Sequence, residues 1–250
     1  MYIKFLGIWS SNIIKGQRNV SFVLDDKIAF DFGPHSLESL LEMGIDPLKI
    51  KFLLITHMHL DHYSGIAELL WYRSIHNAKT PLMVFGPKGI KNNTARLMED
   101  LKTPRLWSKQ VYNNVKYIED KSHSFVQVFP AHHLIPDNGY RVEYKGKTIF
   151  YSGDTAYSKN VVEGAAGVDI LFHEMTYTDK DKEAADLWRH STYSSTLKVF
   201  EESHAKKLVP VHLTVASALA VKKLSITDKR VTFSRKNYKI VKKINTTKIN

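Results

Sequence analysis

Thr56-His57-Met58-His59-Leu60-Asp61-His62 puts three imidazoles and a carboxylate into seven residues, directly after the apolar run Ile50-Lys51-Phe52-Leu53-Leu54-Ile55. That run is short, apolar and rich in β-formers, so it reads as a buried strand. The donors behind it read as a loop leaving the strand's end. Imidazole nitrogen and carboxylate oxygen are the usual donors for zinc and other borderline divalent ions. On an extended loop His57 and His59 can point the same way, with Asp61 and His62 one step further on, so one loop can serve two neighbouring metals. Unrelated surface histidines are the plainer alternative, and donor density behind a strand argues against them.

Composition bounds the rest. A chain of 250 residues that is 43% hydrophobic can bury a sizeable core, and it fits one α/β domain over 1–250 better than two. Cysteine is absent, so any metal must be held by His, Asp and Glu. Met1-Tyr2-Ile3-Lys4-Phe5-Leu6-Gly7 reads as a strand rather than a signal peptide, and no apolar run approaches the roughly 18 residues that span a bilayer. A soluble, cytoplasmic protein is expected. Of the net charge of +11, nine units fall from Lys222 onward, so residues 221–250 form a basic C-terminal segment. Such a face suits a polyanion such as RNA, or is merely a solvated lysine-rich surface.

Along the chain, strands are predicted at Tyr2–Leu6, Val20–Leu24, Lys27–Phe32, Leu82–Phe85, Val115–Ile118, Ser124–Phe129, Tyr140–Tyr144, Thr148–Tyr151, Ile170–His173 and Lys207–Val211. Helices are predicted at Leu37–Met43, Ile66–Ile75, Ile90–Leu101 and Ser194–His204. Polar, ligating residues recur just past strands: His132-His133, Asp154, Glu174 and His212. That pattern gathers donors at one edge of packed sheets. Taken singly, Asp154 reads better as the cap of a turn, and His212 is more often an ordinary histidine. Neighbours on an extended chain point opposite ways, so only one of His132 and His133 should ligate.

His57-x-His59-x-Asp61-His62 resembles the signature of the metallo-β-lactamase fold superfamily. Further stretches resemble its ribonuclease Z branch of metal-dependent phosphodiesterases: Phe85-Gly86-Pro87-Lys88-Gly89-Ile90, His133 followed by Gly139-Tyr140-Arg141, Ser152-Gly153-Asp154-Thr155, His173-Glu174-Met175-Thr176 and His190-Ser191-Thr192. The likeness runs from Phe5 to about Thr214. It implies an α/β fold, a four-layer αββα sandwich, with the site along one edge. It also implies two zinc ions per chain, with Mn²⁺ or Fe²⁺ as alternatives. By the same resemblance His57, His59 and His133 hold one metal, Asp61, His62 and His212 the other, and Asp154 bridges them. The H-x-x-x-x-x-G-Y-R register selects His133 over His132.

The activity implied is hydrolysis of a phosphodiester by a metal-bridging hydroxide, as in an RNA 3′-end processing endonuclease. Catalytic roles would fall to Asp61, orienting the nucleophile, and to His190 with Glu174, protonating the leaving oxygen. A carboxylate partner raises the pKa of an imidazole and suits it to that work. Three departures bear on substrate. Arg141 and Ser152 are separated by only enough chain for a hairpin, where many tRNA-processing relatives carry a long arm that grips tRNA. The glycine-rich loop expected after Leu6-Gly7 is replaced by Ile8-Trp9-Ser10-Ser11-Asn12, and the S-x-R triplet expected after His212 is missing. RNA or a small cyclic or alkyl phosphodiester is the partner, with no membrane and a homodimer left open. A lactone or thioester hydrolase on the same ligands, and a non-catalytic RNA-binding module built on the basic segment, are the competing readings.

Overall fold

The computed structural model describes residues 1–104 and 114–233. They form two compact units, one from residues 1–7 and 16–120, the other from 8–15 and the described residues from Lys121 on.

The first unit holds a six-stranded mixed sheet in chain order: β1 (Ile3–Gly7), β2 (Ser21–Leu24), β3 (Ile28–Phe30), β4 (Phe52–Leu54), β5 (Leu82–Gly86) and β6 (Val115–Glu119). The first three strands alternate in direction, and β3 to β6 run parallel. Residues 25–27 turn the chain between β2 and β3: Asp25 and Asp26 are left-handed, with φ of 47° and 54°, and the Lys27 N–H donates back to the Leu24 carbonyl at 3.0 Å. Parallel strands need crossovers. These are α1 (Ser36–Glu42), the short α2 (Leu60–Tyr63) running into α3 (Ile66–Ile75), and α4 (Ile90–Asp100). Helix α3 buries Ile66, Leu69, Leu70 and Arg73, the spacing of one helical face. The aliphatic residues pack with Leu53 and Val84 of the sheet and with Leu40, Ile90 and Met98 of the other helices. Each such side chain contributes about 1.5–3 kcal/mol on burial.

The second unit holds a five-stranded sheet: β7 (Val126–Pro130), β8 (Asn138–Tyr144), β9 (Lys147–Tyr151), β10 (Ile170–Glu174) and β11 (Leu208–Val211), in the order β11-β10-β9-β8-β7. Strands β7, β8 and β9 alternate, whereas β9, β10 and β11 are parallel. Two reversals restore direction, so β7, β9, β10 and β11 all release the chain at the same edge. Helices α5 (Lys159–Gly164) and α7 (Tyr193–Ser203) lay Val161, Val199 and Phe200 against Phe150, Leu171 and Leu208. Two more, α6 (Lys182–Trp188) and α8 (Val215–Thr227), complete the described α-helices of this unit.

The predicted strands and helices appear, mostly with ends moved by one or two residues. Four helices were not anticipated. Helices α2, α5 and α6 are too short for a periodic signal. Helix α8 falls where the sequence reads as a basic tail, and it is started by a reciprocal capping box between Thr214 and Ser217. The donor run is correspondingly not all loop, because Asp61 and His62 lie on α2. Glu174 is the last residue of β10 rather than the first beyond it. In the basic segment, Lys222 and Lys223 lie on α8, and Arg230 pairs with Asp228 and Glu201. Arg235, Lys236, Lys239, Lys242, Lys243 and Lys248 lie outside the described residues.

Candidate metal centre

In the first unit the donors hang on Asp31, fully buried just past β3. Asp31 Oδ1 accepts the Thr56 N–H at 2.8 Å, and its carboxylate also accepts the Thr56 hydroxyl at 3.0 and 3.1 Å. Its Oδ2 lies 2.8 Å from His62 Nδ1. A carboxylate is acceptor-only, so His62 must carry its proton on Nδ1 and keep the lone pair on Nε2. The Thr56 hydroxyl has one proton, which Asp31 takes, so at 3.0 Å from His57 Nδ1 it can only accept. His57 is thereby fixed in the same tautomer. Its Nε2 stands 2.9 Å from Nδ1 of the half-buried His59. That is hydrogen-bond distance, so the two rings bond to each other here. Asp61 Oδ2 lies 3.5 Å from His62 Nε2. Helix α2 is seated by close backbone contact: Phe32 N–H donates to the His62 carbonyl at 2.6 Å, and a Cβ on Gly33 would meet the Asp61 carbonyl at 1.9 Å.

In the second unit the shared strand edge delivers His133 after β7, Asp154 after β9, Glu174 at the end of β10 and His212 after β11. His133 is buried and donates from Nδ1 to the Arg189 carbonyl at 3.2 Å, while its neighbour His132 is exposed. Burial, opposed by the charge of Asp154, holds the His133 imidazole below its ordinary pKa. The Thr176 hydroxyl repeats the device of Thr56. It donates to Glu174 Oε2 at 2.7 Å and so accepts from His212 Nδ1, also at 2.7 Å. His212 Nε2 then faces Asp154 Oδ2 at 3.4 Å.

Glu174 is fully buried and receives His190 Nδ1 at 2.8 Å, the Thr155 N–H at 2.9 Å and the Thr176 N–H at 3.1 Å. Burial pushes its carboxyl up, but the adjacent His190, through charge and hydrogen bond, outweighs that and holds it below the usual carboxylate value. The His190 ring is stacked on that of His212 at 5.3 Å, and its Nδ1 is 3.9 Å from Asp154 Oδ2. Ligand atoms of His133, Asp154 and His190 lie within 4.8 Å of one another, as do those of Glu174, His190 and His212.

The predicted ligands offer nitrogen and oxygen, all are buried but His59, and His57, His62, His133 and His212 are preset in tautomer, which fits a borderline divalent cation. Sequence reasoning passed over Asp31, Thr56, Thr176 and Asp137, whose carboxylate accepts the Asp154 N–H at 3.1 Å. Asp31 carried a readable signal, since it follows an apolar strand just as Asp154 does.

The sequence matches the β-lactamase superfamily domain family over residues 30–213. It is similar to ribonuclease Z of Anoxybacillus flavithermus, 28% identical over 279 residues, with 86% of this chain and 87% of that protein covered. Among solved structures, the short form of human tRNase Z superposes with a TM-score of 0.77 at 23% identity, covering 95% of this chain and 97% of that one. A metallo-β-lactamase fold protein from Bacillus subtilis gives 0.76 at 15% identity, covering 94% and 96%. The chain belongs to the β-lactamase superfamily domain family, as a ribonuclease Z-like protein of metallo-β-lactamase fold.

Proposed function

We propose that this chain is a metal-dependent phosphodiesterase. In this reading His57, His59, Asp61, His62, His133, Asp154 and His212 hold a pair of divalent ions, zinc in the first place. Both units then work as one hydrolase domain, a reading supported by a family match that runs from 30 to 213 through residues of each. The observation that carries it is a shared tautomer. His57, His62, His133 and His212 each commit Nδ1–H to an oxygen of the protein and keep Nε2 for a ligand bond.

Bound ions would supply Lewis acidity toward phosphoryl oxygens and lower the pKa of a water to about 7. The protein's own residues do the rest. Asp154 brings a buried negative charge that offsets the cations, and Asp61 orients the attacking water. His190, anchored at Nδ1 by Glu174, presents Nε2 to the departing oxygen and passes it a proton. An anionic Glu174 stabilises the imidazolium that this requires.

The ribonuclease Z relatives favour RNA, cut at the 3′ side of a precursor, and we place the protein in the cytoplasm with such a substrate. One observation favours a smaller diester instead. Strands β8 and β9 are joined by Lys145-Gly146 alone, which leaves no arm between them. Metal-loaded protein should be incubated with a 3′-extended precursor tRNA and with bis(p-nitrophenyl) phosphate at several salt concentrations. Cleavage of RNA that falls steeply with salt supports the first reading, and salt-insensitive cleavage of the small diester alone supports the second. Hydrolysis of neither would refute both.

A further inference from the structure

Asp137 is none of the seven ligand positions, and the H-x-x-x-x-x-G-Y-R pattern leaves its place unspecified. It is nevertheless a carboxylate only 3% exposed, four residues past His133. Its own backbone is pinned, its carbonyl accepting the Ala131 N–H at 2.9 Å as β7 gives way to β8. Its Oδ2 accepts the N–H of Asp154 at 3.1 Å, on the turn that leaves β9 through Gly153 at φ 62°. One side chain thus ties the loop carrying His133 to the loop carrying Asp154. A neutral Asn could accept the same N–H without burying a second anion beside Asp154, where like charges oppose each other. Nearby cations would reverse that balance.

We propose, resting on the metal-dependent reading above, that Asp137 is a positioning residue for the metal centre. It holds the Asp154 loop in its ligating pose, and its charge adds to the field that retains the cations. It acts through Asp154 and is not itself a ligand. Partners of this kind are typically worth about 10–100-fold in metal affinity.

The test compares wild-type protein with Asp137→Asn, which keeps the shape and one accepting oxygen but loses the charge. Zinc affinity is measured by chelator competition, and thermal unfolding is followed with and without zinc. Asp137→Asn should weaken zinc binding about tenfold or more. Its metal-free form should unfold no earlier than wild type, and zinc should raise its Tm by less. Asp137→Ala, which also removes the acceptor, should bind zinc more weakly still; if it fails to fold, Asp137→Asn decides alone. Zinc affinity within about twofold of wild type, or equal destabilisation with and without zinc, would overturn the proposal. Wild-type protein that binds no zinc would instead refute the metal-dependent reading on which it rests.

Discussion

Replacing Asp31 with Asn tests whether the tautomer of a ligand is set from behind. Asp31 is wholly buried and takes three donors: the Thr56 N–H, the Thr56 O–H and His62 Nδ1–H. Hydrogen bonds to a charged group contribute about 1.5–3 kcal/mol each. Removing the carboxylate outright, as in Asp31→Ala, leaves those buried donors unpaired, at about 1–3 kcal/mol each. That approaches the whole stability of a marginal domain, about 5–15 kcal/mol. Asp31→Asn is milder, because one oxygen can still accept from Thr56. Its amide must then face His62 with a donor, and His62 answers by moving its proton from Nδ1 to Nε2. The ligand lone pair is lost while the fold persists.

We expect Asp31→Asn to lose about 1–3 kcal/mol in metal-free urea unfolding and to bind zinc about 10–100-fold more weakly. The stabilisation that saturating zinc confers should shrink by the matching ~1.4–2.7 kcal/mol. Urea titrations with zinc and with EDTA, alongside metal content by mass spectrometry, read both quantities. Wild-type metal content and wild-type zinc stabilisation in this variant would refute the reasoning.

Gly33→Ala would drive a methyl group to 1.9 Å from the Asp61 carbonyl; the donor run must shift, costing about 1–3 kcal/mol and lowering metal content, and unchanged urea midpoints and zinc content would contradict the close approach. His190→Ala should slow diester cleavage about 10²–10⁴-fold with metal content intact, whereas loss of metal would move His190 among the ligands. Asp169 accepts the Thr148 N–H and pairs with Lys206 at 2.9 Å. Burial pushes its carboxyl up, but those two partners outweigh it and hold the pKa below the ordinary value. Its stabilisation is therefore present above the unfolded carboxylate pKa of about 3.9 and is lost as pH falls through the lower folded value. Lys206→Met should be less stable by about 0.2–1 kcal/mol at pH 7, and denaturant titrations should show that gap closing toward pH 2; a gap constant with pH would contradict the pairing.

How much of this was legible can be judged residue by residue. The run from His57 to His62, and donors recurring where apolar stretches stop, were visible because composition and strand periodicity are local properties. So were the turns at Asp25-Asp26 and Lys145-Gly146, whose left-handed backbones follow from their position between strands. His132 and His133 were separable only through a resemblance, until β7 and its loop left one exposed and the other buried. The helical turn under Asp61 and His62 was not foreseeable, because four residues carry no period.

The sequence alone determined which atoms could bind a cation and the strand ends from which they emerge, since both are written within a few neighbouring residues. Tertiary structure alone decided which nitrogen of each ring keeps its lone pair. Asp31 reaches His62 across 31 residues and Thr176 reaches His212 across 36. A proton's place on an imidazole depends on the partner that folding brings to its other nitrogen, and no spacing along the chain encodes that partner.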